Sequence, residues 1–357
     1  MVQKPFITEA MHLEHVQRHR QVRRVIEDLC FLWGYQPVET PLLDEYDRYR
    51  DHISTQLEHD SYRLIDRTGK IMLLRSDITL FLARQLGRHL TVDELPLRIS
   101  YAGSIVRYES DDEIRSGDNF QAGAELIGVS GNDGDAEILL LAACLFRTLG
   151  IPQTALHIGS RRLLQLIWPH ASSTQLEEIA DAVRYRQQDT IGRFCDAGAA
   201  IPAARVNQVF AYIAEARQAS AEAAAGLNAN QEILDQISRI IQLAQLVQEL
   251  EPGIQVRVDF SEVGARDYYS GMAFQMYCPG AARAVAGGGR YDTLLGDFGC
   301  SAPSVGFSIV QSVIEPLVKI FTDPQLPKAV GIPADREFRT RFKQAQSLRA
   351  EGKATHL

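Results

Sequence analysis

Asp77, Arg107, Glu125 and Tyr269 lie in four separate segments and are the side-chain types that a small zwitterion requires. A free amino acid carries an ammonium that needs an anion and a carboxylate that needs a cation. An imidazole side chain adds a need for an acceptor and hydroxyls. If FQAGAELIG forms a strand, its period of two puts Gln121, Gly123 and Glu125 on one face, so two polar groups converge and the glycine between them leaves room. An internal salt-bridge network of an inert fold is the plainer reading. So many unmatched demands for a ligand are seldom left in a sheet centre.

Other chemistries find no support. Gly69-Lys70 has no P-loop glycine before it, and Gly287-Gly288-Gly289-Arg290 opens no helix after a dinucleotide fingerprint. His12, His15 and His19 share one helical side but lack a carboxylate at metal-ligand spacing, so they read as solvated surface. Neither a metal nor a cofactor is expected.

These residues need elements to place them. From Glu14 to Trp33, Val16, Val22, Val25, Ile26, Leu29 and Leu32 recur at helical spacing, and Gly34 stops the helix. Tyr35 to Pro41 reads as extended, because each proline turns its predecessor away from helix. Residues 61–75 alternate around Thr68-Gly69 as a hairpin, and Thr79 to Leu90 is helical. A second hairpin joins Leu97–Tyr108 to Phe120–Val129 through the polar stretch Glu109–Asn119, which is predicted to order over a ligand. An apolar helix covers Ala136 to Leu149, and from Ser160 to Leu250 the periodicity is helical throughout. Strands resume at Ile254–Phe260 and Met272–Cys278, with another apolar segment from Val305. The tail from Lys328 offers one strand-like run, Ala329–Ile332, and a charged helix, too little for a core of its own. Its end, Glu351 to Leu357, reads as a truncated helix-to-strand unit. Hairpins with flanking helices and no βαβα rhythm predict an α+β fold. The expected division is a main domain over residues 1–159 and 251–325, an inserted helical subdomain over 160–250, and a short C-terminal segment over 326–357.

Composition narrows the function classes. At roughly 150 residues per domain, 357 residues make about two domains, and 45% hydrophobic residues suffice for a sizeable core. With 37 Lys and Arg against 45 Asp and Glu the net charge is −8, a surface that repels a phosphate backbone, so no nucleic acid is expected as partner. Five cysteines without a CxxC pair indicate reduced thiols and a cytoplasmic protein. The N-terminus lacks an apolar signal core and no stretch approaches the roughly 18 apolar residues of a membrane span, so no membrane is expected either.

Taken in order, GYQPVETPLLD, LLRSDIT, RISYAGSIVRYE, FQAGAELIG, ARDYYSGMAFQMY, GGGRYDTLL and SVGF resemble the catalytic domain of histidyl-tRNA synthetase over residues 5–320. The resemblance implies a class II aminoacyl-tRNA synthetase-like fold, an antiparallel sheet flanked by helices, dimerising through the first helix and the strand ending at Pro41. It implies that Asp77 and Thr79 hold the α-amino group of histidine and that Arg107 faces its carboxylate. Gln121 would contact the ammonium and Glu125 would receive the imidazole, with Tyr269 and Tyr291 as further walls and Tyr268 beside them.

The nucleotide half of such a site is missing. Anchored on Asp267-Tyr268-Tyr269, the family's catalytic arginine falls at Gly264. Its second arginine and a histidine fall at Gly117 and Phe120, and its closing glutamate and arginine at Ser312 and Val313. One preorganised electrostatic donor is typically worth about 10²- to 10³-fold in rate, so losing three leaves adenylate formation negligible. Arg266 would stand on the same strand face as Gly264, displaced by about 6.8 Å, and is not expected to replace it. Only some thirty residues follow the core, where an anticodon-binding domain of roughly 100 would be required.

A synthetase-like dimer with an amino-acid pocket and no ATP or tRNA equipment resembles the regulatory subunit of ATP phosphoribosyltransferase. That resemblance implies a non-catalytic protein joined to the short-form ATP phosphoribosyltransferase catalytic subunit in a hetero-oligomer. The partner would condense ATP with phosphoribosyl pyrophosphate in the first step of histidine biosynthesis, and this chain would help relay feedback inhibition by free histidine. The alternatives are a histidyl-tRNA synthetase, a histidine-binding paralogue with another client, and a structural paralogue that binds no amino acid.

Overall fold

Helix α1 (Leu13–Leu32) turns Val22, Ile26, Leu29 and Cys30 inward at helical spacing and ends where Gly34 takes a φ of +84°. The computed structural model describes residues 13–53, 55–108, 118–221, 224, 230–319, 330–331, 338–351 and 355–356. His19–Lys319 form one compact unit, and Met1–Arg18 with Ile320–Leu357 group as a second.

After α1 come β1 (Gln36–Pro37), β2 (Leu43–Glu45), α2 (Thr55–His59), β3 (Arg63–Ile65) and β4 (Ile71–Leu74). Strands β2, β4 and β3, in that order, make a small antiparallel sheet of their own, and β3–β4 is the expected hairpin. Next follow α3 (Ile78–His89), the long hairpin β5 (Leu97–Val106) and β6 (Asp118–Ile127), α4 (Gly131–Thr148) and β7 (Ala155–Ser160). Helices α5 (Arg162–Ile167), α6 (Ser173–Arg184), α7 (Gln188–Asp196) and α8 (Ala203–Ala211) lead to β8 (Ile213–Glu215) and α9 (Gln231–Leu250). The chain then adds β9 (Gln255–Asp259), β10 (Met272–Tyr277), β11 (Ala286–Arg290), α10 (Leu294–Asp297), β12 (Ser304–Val310) and α11 (Gln311–Ile314).

Among the described residues the main sheet has nine strands in the order β1-β5-β6-β12-β11-β10-β7-β9-β8. It is mixed rather than wholly antiparallel: β1 pairs parallel with β5, and β7 parallel with β9. Several of its strands lie outside the sequence expectation, among them β11, where the sequence offers only a glycine run. Strand β7 was not anticipated, and β8 interrupts the run from Ser160 to Leu250 that reads as helix throughout, pairing antiparallel with β9 at the sheet edge. The extended segment before Pro41 contributes only Gln36–Pro37 to the sheet. Residues 109–117 of the expected ligand-covering stretch, and His12, lie outside the described residues, while Asp118 and Asn119 already belong to β6.

The glycine run in β11 is explained by packing. A Cβ at Gly288 would stand 2.2 Å from the carbonyl oxygen of Gly306 and 2.7 Å from the ring of Phe274. Asp135, fully buried in α4, accepts from Arg290 of β11 at 2.7 Å and from Arg239 of α9 at 2.9 Å, tying two helices to the sheet. The five cysteines are free thiols. In the second unit, β13 (Val330–Gly331) and β14 (Thr355–His356) pair in parallel around α12 (Phe338–Ala350), as the tail's strand-then-charged-helix pattern indicates.

Candidate functional site

Two neighbouring clusters, one charged and one rich in hydroxyls, bring together the eight residues that the sequence singles out. The first is centred on Asp77, the N-cap of α3, whose carboxylate accepts from the Leu80 amide at 3.2 Å. That carboxylate also faces two guanidiniums, Nη2 of Arg266 at 2.8 Å and Nη2 of Arg107 at 3.6 Å. Arg107, just beyond β5, is fixed by donating Nε to the Ser76 carbonyl at 2.7 Å. Burial and the repulsion of Arg266 lower its pKa to about 10 despite Asp77. Two guanidiniums on one carboxylate suit an incoming carboxylate, with Asp60 and Asp267 as further anions nearby, while Asp77 can exchange one arginine for an ammonium.

The second cluster surrounds Glu125 on β6. Its Oε1 accepts from the hydroxyl of Thr79 at 2.7 Å and from that of Tyr101 at 3.3 Å, and its Oε2 from the hydroxyl of Tyr291 at 2.5 Å. Burial raises the Glu125 pKa from 4.5 to about 8, against the pull of those three hydroxyls. The carboxyl therefore titrates near neutral pH, able to accept from one ring nitrogen or donate to another. Gly306 on the adjoining strand makes this possible, since a Cβ there would fall 1.5 Å from Glu125 Oε2.

Tyr268 and Tyr269 close the space between the clusters. The Tyr268 ring meets those of Tyr269 and Tyr291 edge-on, with centroids 5.3 and 5.7 Å away. Tyr269 is seated between two glycines: a Cβ at Gly264, where φ is +82°, would come 2.3 Å from the ring, and one at Gly289 3.3 Å.

The structure adds to the sequence reading at several positions. Gln121 does share a face with Gly123 and Glu125, but its Oε1 accepts the Ile78 amide at 3.0 Å, so it braces the start of α3. Gly123 leaves room for Tyr101 instead of a ligand, because a Cβ there would meet the Tyr101 hydroxyl at 2.5 Å. Tyr101, opposite Gly123 across β5 and β6, is one member of the site that the sequence did not single out. Its signal, a tyrosine facing a glycine, appears only once the strand register is known. Arg266 lies on no strand; it sits in the turn-rich segment after β9 and reaches Asp77 directly. Of the three histidines assigned to surface, His19 instead places Nδ1 2.7 Å from Glu315 Oε1.

The positions assigned to a synthetase's nucleotide half hold no charged side chain among the described residues. Phe120 packs under Arg23 and His19, and Ser312 donates to Asn119 at 3.1 Å. A separate open groove of about 830 Å³ beside Gln153, Glu215, Arg217 and Gln255 is not lined by any of these groups.

A histidyl-tRNA synthetase family model matches residues 8–313. The ATP phosphoribosyltransferase regulatory subunit of Moorella thermoacetica is 32% identical over 341 residues, 92% of this chain and 85% of its own length. The chain belongs to that family of regulatory subunits. The family member from Clostridium kluyveri is 25% identical over 97% of this chain and 90% of its own length, and that from Hahella chejuensis 30% identical over 82% and 73%. Two solved structures share the fold. A regulatory subunit/histidyl-tRNA synthetase from Bacillus halodurans superposes with a TM-score of 0.82 at 21% identity, covering 99% of this chain and 92% of that one. A histidyl-tRNA synthetase from Nostoc sp. PCC 7120 gives 0.73 at 18% identity, covering 95% and 82%. The class II synthetase-like fold expected from the sequence is thereby established, with the mixed sheet described above.

Proposed function

We propose that this chain is the non-catalytic, histidine-reading regulatory subunit of an ATP phosphoribosyltransferase, acting in the first step of histidine biosynthesis. The chemistry resides in its partner, a short-form catalytic subunit. One juxtaposition carries the histidine reading: a carboxylate between two arginines stands beside a buried carboxyl ringed by three hydroxyls. Histidine would place its ammonium on Asp77, its carboxylate on Arg107 and Arg266, and its ring between Glu125, Tyr269 and Tyr291. Thr79 and Tyr101 hold Glu125, Gln121 braces α3, and Tyr268 backs the ring wall.

To act as an effector, histidine must bind one state of the assembly better than another, with typical couplings of about 1–3 kcal/mol. The stretch over residues 160–250, read from the sequence as a helical insertion, packs α9 and pairs β8 against the main sheet and so could carry such a coupling. Self-association through the first helix and the segment after it is supported by Phe31 and Leu32, 65% and 79% exposed, with Leu42 and Leu43 also exposed. A cytoplasmic setting agrees with reduced thiols, and among the described residues no helix is long and apolar enough to cross a membrane.

Mixing the chain with a short catalytic subunit and assaying phosphoribosyl transfer with and without histidine tests the proposal. Activation by the chain, inhibited by histidine, and loss of that inhibition in Glu125→Ala are expected. Histidine-dependent pyrophosphate exchange by the chain alone would overturn it in favour of a synthetase, a reading that Gly264, Ser312 and Val313 oppose.

A further inference from the structure

The segment between β9 and β10 supplies Arg266, Tyr268 and Tyr269, and the helical insertion holds it at both ends. At the first end the Gly264 peptide is gripped from two sides. Its N–H donates to Glu262 Oε1 at 3.1 Å, and its carbonyl accepts Nη2 of Arg184 at 2.7 Å. Arg184 is the last residue of α6, and its Nη1 is steadied by Asp181 one turn earlier at 2.6 Å. At the far end the Gly271 carbonyl accepts the Arg161 amide at 2.9 Å and the Ser160 hydroxyl at 3.3 Å. The Arg161 guanidinium in turn pairs with Glu177, also on α6. Helix α6 therefore holds the first anchor directly, through Arg184, and reaches the second only through the Arg161 side chain. Its own start is fixed by a capping box between Ser172 and Gln175.

We propose that Arg184 is a positioning residue: by holding the Gly264 carbonyl it sets Arg266 against Asp77 and Tyr269 against the pocket, and it makes α6 sensitive to pocket occupancy. The step from Gly264 to Arg266 is two residues, and the Tyr269 ring rests on Gly264 itself, so movement of this peptide displaces both side chains. By reciprocity, whatever α6 does to histidine affinity, histidine does to α6. This rests on the histidine pocket proposed above. It adds the helical insertion as the element that reads it.

The test uses the full chain and its variants R184A and R184K, with histidine affinity from calorimetry and amide hydrogen exchange over residues 173–184. R184A is expected to bind about tenfold more weakly, within the usual range of couplings. R184K should recover part of the loss, and histidine should slow exchange in α6 of the unaltered chain. Unchanged affinity in R184A, or α6 exchange indifferent to histidine in the unaltered chain, overturns the proposal; the second readout requires no substitution to fold. If the unaltered chain binds histidine and only E125A abolishes it, the pocket stands and the coupling falls. If the unaltered chain binds no histidine, both fall.

Discussion

Glu125 sets the electrostatic behaviour of the pocket because burial raises its pKa from 4.5 to about 8. Below the lower value it is protonated in both the folded and the unfolded chain. Between the two values the unfolded chain ionises first, so folding stability falls as pH rises, and above about 8 the loss is complete. Urea denaturation is expected to show this decline between about pH 5 and 8, and Glu125→Gln should flatten it. Glu262, raised by burial to about 7, adds to the same window, so the slope left in Glu125→Gln should shrink further when Glu262→Gln is added. An undiminished slope in the double variant would show that neither carboxyl is buried as described. At Gly306 the methyl of alanine would overlap Glu125 Oε2, and Gly306→Ala is expected to cost about 1–3 kcal/mol or more, read as a lowered Tm.

Helix α3 joins structure to site, because Asp77 caps it and also faces both arginines. The two roles separate by substitution. Asparagine caps as well as aspartate, so Asp77→Asn should keep α3 capped while weakening histidine binding, any loss of stability coming from the two guanidiniums left without their counter-charge. Gln121→Leu orphans the Ile78 amide in a buried place and should cost about 1–3 kcal/mol in urea denaturation, a loss that a merely surface-facing Gln121 would not show. Elements with their own periodicity were legible in the sequence: α1, α3 and the two hairpins. Strand β8 was not, because Ile213–Glu215 is three residues long and exists through its pairing with β9. Arg266 was misplaced for a related reason, since the positive φ at Gly264 takes the backbone off a strand path. The residue types of the charged half of the site were thus visible from sequence, whereas Tyr101 and the true place of Arg266 depended on register and turn geometry.

At the scale of the whole chain, seven short segments in order disclosed the fold because a sheet of distant strands is specified by where each strand's residues fall, not by any one motif. The exposed apolar end of α1 bears on assembly. Leu32→Glu is expected to convert a dimer to a monomer by light scattering, with circular dichroism unchanged. A dimer mass that survives this substitution would locate self-association elsewhere.

The seating of Tyr269 on Gly264 also limits what position 264 can carry. An arginine at 264 would bring its Cβ to 2.3 Å from the edge of the tyrosine ring, on a backbone that side chains rarely adopt. Placing a cation there takes at least two coordinated changes, one at the glycine and one at the tyrosine, the first of them harmful alone.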